Sequence, residues 1–190
     1  MIQIRYAKIE DVEGMVDVNL KTWRTTYSGI ISEGFLLARE NKRVEIIDKR
    51  KNNFSKLQVD GRKIYQCVVL DDRNIIGIAT YGKCRGEEEF GLINSGEIYS
   101  IYILKEFQGR GIGKKLINFA VRDLRDENYD MVVIWSLKDN PSVGFYKRIG
   151  GKDSLTRTIE IGNQRLEEIG FVFDDMDELI NITGTFRNYL

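Results

Sequence analysis

The sequence contains no histidine. That removes Ser-His-Asp and Cys-His catalysis and every zinc site that depends on imidazole. It has only two cysteines, Cys67 and Cys84. They read as reduced core thiols rather than a disulfide, and two thiols so far apart make a poor metal site, so no metal is expected. Net charge is absent as well: 29 basic residues balance 29 acidic ones. No global field draws the chain to nucleic acid or to a membrane surface. There is no long apolar run, and Arg5, Lys8, Glu10 and Asp11 put charges near the start. That pattern has neither a secretion signal nor a membrane span, and the expectation is a soluble, cytoplasmic protein. Acid–base chemistry must come from carboxylate, tyrosine, lysine or thiol.

What is present fits one domain over residues 1–190. Residues 2–7 alternate as a first strand, and residues 10–23 carry Val12, Met15, Val16 and Leu20 at helical spacing. A loop follows to residue 32. Residues 33–54 read as mostly helical, with Lys49, Arg50 and Lys51 as a solvated basic face rather than a nucleic-acid contact. Residues 63–70 and 75–81 form a hairpin around Asp71-Asp72-Arg73-Asn74. Residues 82–95, with Glu87-Glu88-Glu89, read as a mobile solvent loop or a lid near a substrate mouth. Residues 131–137 are an apolar strand. Asn140 reads as a helix cap followed by Pro141, the only proline, with a stop at Gly150-Gly151. Residues 152–161 and 164–173 make a hairpin around Gly162-Asn163; residues 175–190 are unassigned. The order implies an α/β mixed sheet of six to seven strands with helices on both faces.

Residues 96–126 are the most informative stretch. Residues 96–104 read as a central strand, with Ile98, Tyr99, Ile101, Tyr102, Ile103 and Leu104 apolar or aromatic on both faces, and Glu97 places one carboxylate in it. Gln108-Gly109-Arg110-Gly111-Ile112-Gly113 is a glycine-rich turn. Residues 114–126 then read as an amphipathic helix, with Ile112, Leu116, Ile117, Ala120, Val121 and Leu124 as one apolar stripe. A glycine turn opening a helix presents unpartnered N–H groups at the positive end of the helix dipole, a seat for phosphate. A P-loop would require Gly at Gln108 and Ser or Thr at Lys115, so it fails twice. The dinucleotide fingerprint fails because its third glycine comes one residue early.

The pattern that fits is Gln/Arg-x-x-Gly-x-Gly/Ala, matched by Gln108, Gly111 and Gly113. A second signature follows: Asn140, a small residue at Val143 or Gly144, the pair Phe145-Tyr146, and Gly150. On these residues the chain resembles the GNAT superfamily of acetyl-CoA-dependent N-acetyltransferases, most strongly over residues 97–151. The resemblance implies the GNAT fold and direct attack of an acceptor amine on the thioester of acetyl-CoA. It implies that Gln108, Gly109, Arg110, Gly111, Ile112, Gly113 and Lys114 hold the pyrophosphate. It implies that the backbone around Ile101, Tyr102 and Ile103 pairs with the pantetheine arm, and that Asn140 touches the coenzyme. Tyr146 is then the acid for the leaving thiolate, and Glu97 the base, directly or through water.

The acceptor is a primary amine of a small molecule or a protein. Trp23, Tyr27 and Phe35 are candidate wall residues on the acceptor side, and Asp174, Asp175 and Asp177 candidate attractants for a cationic amine. The C-terminal strands offer an edge for a homodimer. A different class, a non-catalytic acyl-CoA-binding sensor or scaffold, shares the fold and the glycine turn; Glu97 and Tyr146 favour catalysis.

Overall fold

The structure is a computed structural model that describes residues 1–54, 58–59 and 62–184. Strand β1 (Ile2–Tyr6) leads through a 3-10 turn (Ile9–Asp11) to helix α1 (Val12–Tyr27), then α2 (Glu33–Asn41) and α3 (Arg43–Phe54). Strands β2 (Gln58–Val59), β3 (Arg62–Asp71) and β4 (Asn74–Lys83) precede the short helix α4 (Glu87–Phe90). Strand β5 (Ser95–Ile103), helix α5 (Ile112–Asp126), strand β6 (Met131–Leu137) and helix α6 (Val143–Arg148) form the second half with the hairpin β7 (Lys152–Ile161) and β8 (Gln164–Phe173) and the closing helix α7 (Met176–Gly184). Seven strands run in the order β1-β3-β4-β5-β6-β8-β7, with β2 added to β3. The architecture is the mixed α/β sheet expected.

The pairing of β5 with β6 is parallel, as a helical crossover through α5 requires. All other pairings are antiparallel. The parallel ladder is short: it joins Ser95–Ile98 to Met131–Ile134 and stops. Beyond that point β5 stays with β4 through Ile103, and β6 stays with β8 through Leu137. A register shift against β4 falls at the same place, so Tyr99 is an extra residue on β5. Such a bulge bends and twists its strand, and the sheet opens there into a wedge.

Both faces are covered. Ile112, Leu116, Ile117, Ala120, Val121 and Leu124 of α5 are buried against Cys67, Tyr81, Ile98, Val132 and Ile134 of the sheet and Met176, Leu179 and Ile180 of α7. Each such side chain contributes about 1.5–3 kcal/mol on leaving water. On the opposite face Met15 and Val18 of α1 pack on Val68, Leu70 and Ile78.

Four local expectations change. First, α1 runs to Tyr27 rather than ending at Trp23, because Trp23 and Tyr27 pack edge-on at 5.1 Å one turn apart. Second, residues 33–54 divide into two helices. Leu36 of α2 enters a cluster with Ile31 and Leu137, whereas Ile47 of α3 enters one with Val12, Val16 and Leu20. One straight rod could not reach both. Third, residues 82–95 are not a free loop. Phe90 packs on Trp135 at 4.9 Å, Leu92 is buried, and Ser95 Oγ donates to the Leu92 carbonyl at 2.6 Å. Last, the tail that the sequence leaves unassigned holds a helix: Asp175 Oδ1 accepts the Glu178 N–H at 2.8 Å at the start of α7. Among the described residues no helix is long and apolar enough to cross a membrane.

Asp11 ties β1 to α1. Arg5 Nη1 donates to its Oδ2 at 2.6 Å and Arg5 Nη2 to its Oδ1 at 2.9 Å, while the Lys8 N–H donates to Oδ2 at 2.7 Å. The Arg5 hydrogen bonds hold this carboxyl below the usual carboxylate range, against the opposing effect of burial. The native state therefore takes up the proton less readily than the unfolded chain. The stabilisation is complete above an unfolded Asp pKa of about 3.9 and is lost as pH falls through the lower native value. Asp11→Asn should cost about 1.5–3 kcal/mol near neutral pH. The gap to wild type in denaturant unfolding should narrow in strong acid; a constant gap would contradict the pairing.

Candidate active site

The wedge between β5 and β6 is the centre of a cleft of about 680 Å³. Its floor is the diverging strands, one end is the turn before α5, and the other is walled by α1 and β8.

The turn owes its shape to two glycines. Gly109 and Gly111 have φ of 74° and 77°, the left-handed region that side chains with a Cβ adopt at a cost. Gly111 is the N-cap of α5, so the helix starts at Ile112, two residues earlier than its polar Lys114 suggests. The Gln108 N–H donates to the Lys105 carbonyl at 3.2 Å and the Lys115 N–H to the Gly111 carbonyl at 3.2 Å. Between them the amides of residues 109–114 have no backbone acceptor among the described residues. Gln108, Gly109, Gly111, Ile112, Gly113 and Lys114 all line the cleft. Three side chains expected at the ligand have partners elsewhere, and one of them is Lys114, whose Nζ donates to the Ile182 carbonyl at 3.3 Å. Gln108 Nε2 donates to the Ile103 carbonyl at 2.9 Å, which ties the turn to the end of β5. Arg110 is absent from the cleft lining and lies over the Phe107 ring at 5.1 Å. Gly113 is needed for closeness: a Cβ there would stand 3.3 Å from Phe145 Cζ.

Ile101, Tyr102 and Ile103 line the floor on the β5 side. Tyr102 turns its ring toward α1, where its hydroxyl accepts from Trp23 Nε1 at 3.0 Å. Asn140 sits ahead of α6 rather than capping it, since the helix begins at Val143. Its Oδ1 accepts the Ser142 N–H at 2.8 Å, a turn of Asx type, and its Nδ2 donates to Tyr27 Oη at 3.4 Å.

Tyr146 of α6 is buried between Phe145 and Phe171 and lines the cleft. Burial, with a smaller contribution from Tyr102, pushes its hydroxyl well above the ordinary tyrosine range, so it stays protonated. Tyr27 also lines the cleft, and its hydroxyl is raised first by burial, with smaller contributions from Tyr102, Tyr146 and Glu168.

Glu97 does not join them, which corrects its assignment as the base. Its side chain is 1% exposed and absent from the cleft lining. The Arg85 N–H donates to Oε2 at 2.9 Å, Arg85 Nε donates to Oε1 at 3.1 Å, and Arg85 Nη2 also bonds to Oε1. Arg85 in turn covers the Tyr99 ring at 4.4 Å. Both carboxylate oxygens are committed to holding residue 85 on the sheet. Phe35 also lies outside the cleft lining, packed where a Cβ on Gly162 would meet it at 2.8 Å. Trp23 and Tyr27 do line the cleft. Asp174 pairs with Lys152 and Asp177 with Arg125, so neither they nor the capping Asp175 is in the cleft lining.

The carboxylate that does line the cleft is Glu168 on β8. Arg157 Nε and Nη2 both reach its Oε2 at 2.7 Å, which leaves Oε1 without a partner among the described residues. The Arg157 guanidinium lies over Trp135 at 4.0 Å. The signal was present in the strand alternation: Glu168 shares its phase with Leu166 and Gly170, so it points with the inward set.

The comparisons with known proteins agree with this geometry. The sequence model of the acetyltransferase (GNAT) family matches residues 31–151, which include the wedge and the glycine turn. The chain is 30% identical over 181 residues to the uncharacterized N-acetyltransferase YuaI of Bacillus subtilis, covering 94% of this chain and 96% of that one. It is 25% identical over 148 residues to a spermidine N(1)-acetyltransferase of Thermoplasma acidophilum, covering 76% of this chain and 83% of that one. Among solved structures, the PaiA N-acetyltransferase of Thermoplasma acidophilum in complex with coenzyme A shares the fold with a TM-score of 0.65 at 22% identity, over 88% of this chain and 98% of that one. Family match and near full-length relative together decide the matter: the chain belongs to the GNAT acetyltransferase family and is an N-acetyltransferase.

Proposed function

We propose that acetyl-CoA lies along the wedge with its pyrophosphate on the amides of residues 109–114, its pantetheine arm against β5 and its thioester beside Tyr146. The observation that carries this reading is the coincidence of three features in one cleft: a run of free amides, a strand edge released from its neighbour, and a protonated buried hydroxyl. Each charge-assisted hydrogen bond to phosphate contributes roughly 1.5–3 kcal/mol, more than the roughly 0.3–1 kcal/mol of the helix dipole. The amides therefore dominate the grip. The released backbone of β5 supplies the strand-like partners that the amides of the arm require.

The acceptor is a primary amine that enters past Trp23 and Tyr27. Its nitrogen attacks the thioester carbonyl, and the carbon–sulfur bond breaks as the carbon–nitrogen bond forms. The nitrogen gives up its proton to Glu168 Oε1, directly or through water, and the departing sulfur takes a proton from Tyr146 Oη. Tyr146 suits the acid role because its raised pKa keeps the proton in place until a strongly basic thiolate appears. The two buried, unpaired cysteines suit a reducing compartment, and we place the enzyme in the cytoplasm.

Gly111→Val puts a branched side chain at a left-handed N-cap. It should weaken coenzyme A binding about tenfold or more in calorimetry, the value of at least one charge-assisted hydrogen bond; an unchanged Kd would refute the pyrophosphate seat. Tyr146→Phe should lower kcat about a hundredfold across the pH range, in keeping with a lost general acid, with coenzyme A affinity retained. Glu168→Gln should lower kcat/KM for the acceptor by about tenfold or more, again with coenzyme A affinity retained. Release of free thiol from acetyl-CoA reads both, and wild-type turnover in either variant would remove the role assigned to that residue.

A further inference from the structure

The acceptor end of the cleft has an apolar wall that the transfer chemistry does not use. On β7 the inward phase runs Arg157, Ile159, Ile161, since strand side chains alternate. Ile159 stands opposite Leu166 and Ile161 opposite Gln164 in the hairpin register. Both isoleucines line the cleft together with Leu137 of β6 and with Trp23 and Tyr27 of α1. These five side chains belong to one apolar cluster, backed by the buried Ile31 and Leu36. Trp23 and Tyr27 meet edge to face at 5.1 Å. The hairpin tip is fastened to the chain just after α1, where Gln164 Oε1 accepts the Ser32 N–H at 2.6 Å. The wall is therefore a formed surface held on strands and a helix.

Negative charge is scarce in the same cleft. Among the described residues Glu168 is the only carboxylate in the lining, and the other charged lining residues, Lys114 and Arg148, are cations. Arg157 Nε and Nη2 both reach Glu168 Oε2 at 2.7 Å, so this carboxylate already has a counter-ion and offers one oxygen, Oε1. The two tryptophans of the lining each carry a guanidinium over the ring. Arg39 lies 4.2 Å from the centre of Trp23 and Arg157 4.0 Å from that of Trp135. A further cation brought to either ring meets one already there. An ammonium taken out of water without an anionic partner is costly, whereas apolar surface laid on an apolar wall is favourable. This end of the cleft is complementary to one basic nitrogen attached to an apolar body.

We infer that the acceptor is a monoamine with an alkyl or arylalkyl body, which lies on Trp23, Tyr27, Ile159 and Ile161 while its single nitrogen faces Glu168. The inference rests on the acetyl-CoA reading of the cleft and narrows the acceptor class within it. Diamines and polyamines are disfavoured, because a second ammonium finds the apolar wall or the two guanidiniums and no second carboxylate among the described lining residues. The four wall residues set specificity; they take no part in the proton transfers.

Hexylamine and cadaverine are equally long and differ in one terminal group, a methyl against an ammonium, so the ratio of their kcat/KM values reads the preference. Wild type should favour hexylamine by about tenfold or more, the effect of one charge left unpaired; equal values or a preference for cadaverine overturn the inference. Along butylamine, pentylamine and hexylamine, kcat/KM should climb about fourfold per step, as burial of one methylene requires; a flat series overturns it too. Ile159→Glu sets a second carboxylate into the wall and should move the ratio toward cadaverine by about tenfold or more. A wild-type ratio in that variant refutes the wall. Ile161→Thr keeps the β-branch, removes apolar surface and serves if the glutamate variant fails to fold. It should make the methylene series shallower, and a series as steep as that of wild type refutes the wall as well. Coenzyme A calorimetry on wild type separates the two readings. Absence of binding refutes the acetyl-CoA seat and the inference with it, whereas coenzyme A binding without a preference for hexylamine refutes only the apolar acceptor.

Discussion

The structure depends on a parallel ladder that stops early. Hydrogen bonds join β5 to β6 only as far as Ile98 and Ile134. Past that point each strand keeps its other neighbour, so neither loses its place in the sheet. Backbone N–H and C=O groups are strong, obligatory partners, and a strand edge released in the interior of a sheet must be satisfied by water or by a ligand. The extra residue at Tyr99 makes the release possible, because it absorbs the change of direction without breaking the pairing to β4. The tyrosine is itself anchored, its hydroxyl donating to the Lys83 carbonyl at 2.5 Å. The opening is thus held by the elements on either side of it, and α5 and α6 bring the glycine turn and Tyr146 to its mouth.

Charge in this protein follows a division of labour set by burial. Glu97 with Arg85 and Asp11 with Arg5 are pairs, each with a buried carboxylate, that fasten a loop or a strand to the body of the fold. Breaking such a pair leaves a charge stranded out of water, so these residues act on folding rather than on chemistry. Around the cleft the rule changes. Amides without a backbone acceptor stand at one end, and a carboxylate with one idle oxygen stands on β8, among the described residues. Polar groups that cost free energy to bury and have no internal partner are concentrated where a substrate would supply one.

Much of the frame was legible from pattern. The stripe from Leu116 to Leu124 and the glycines at 109 and 111 announced α5 and its turn, because helical spacing and left-handed backbone leave local traces in sequence. The hairpins at Asp71–Asn74 and Gly162-Asn163, and the helix bearing Phe145-Tyr146, were legible for the same reason. Pairings over distance were not. Glu97 reads as a lone carboxylate beside an apolar strand, and only the folded chain shows Arg85 lying on it. Arg39 reads as one more charged residue of a helical stretch, and only the folded chain shows it bonded to Asn19 and lying over Trp23.

Glu168 lies between these cases. Its strand phase was readable, but its place in the cleft lining follows from the insertion of β8 beside β6, an ordering that no local spacing encodes. The sequence by itself determined most of the strands, helix α5 with its glycine turn and the exclusion of histidine chemistry, since each depends on residues close together in the chain. Tertiary structure decided which carboxylate faces the cleft and which is held by Arg85, because burial and ion pairing are made by segments far apart in sequence and exist only once the sheet has closed its order.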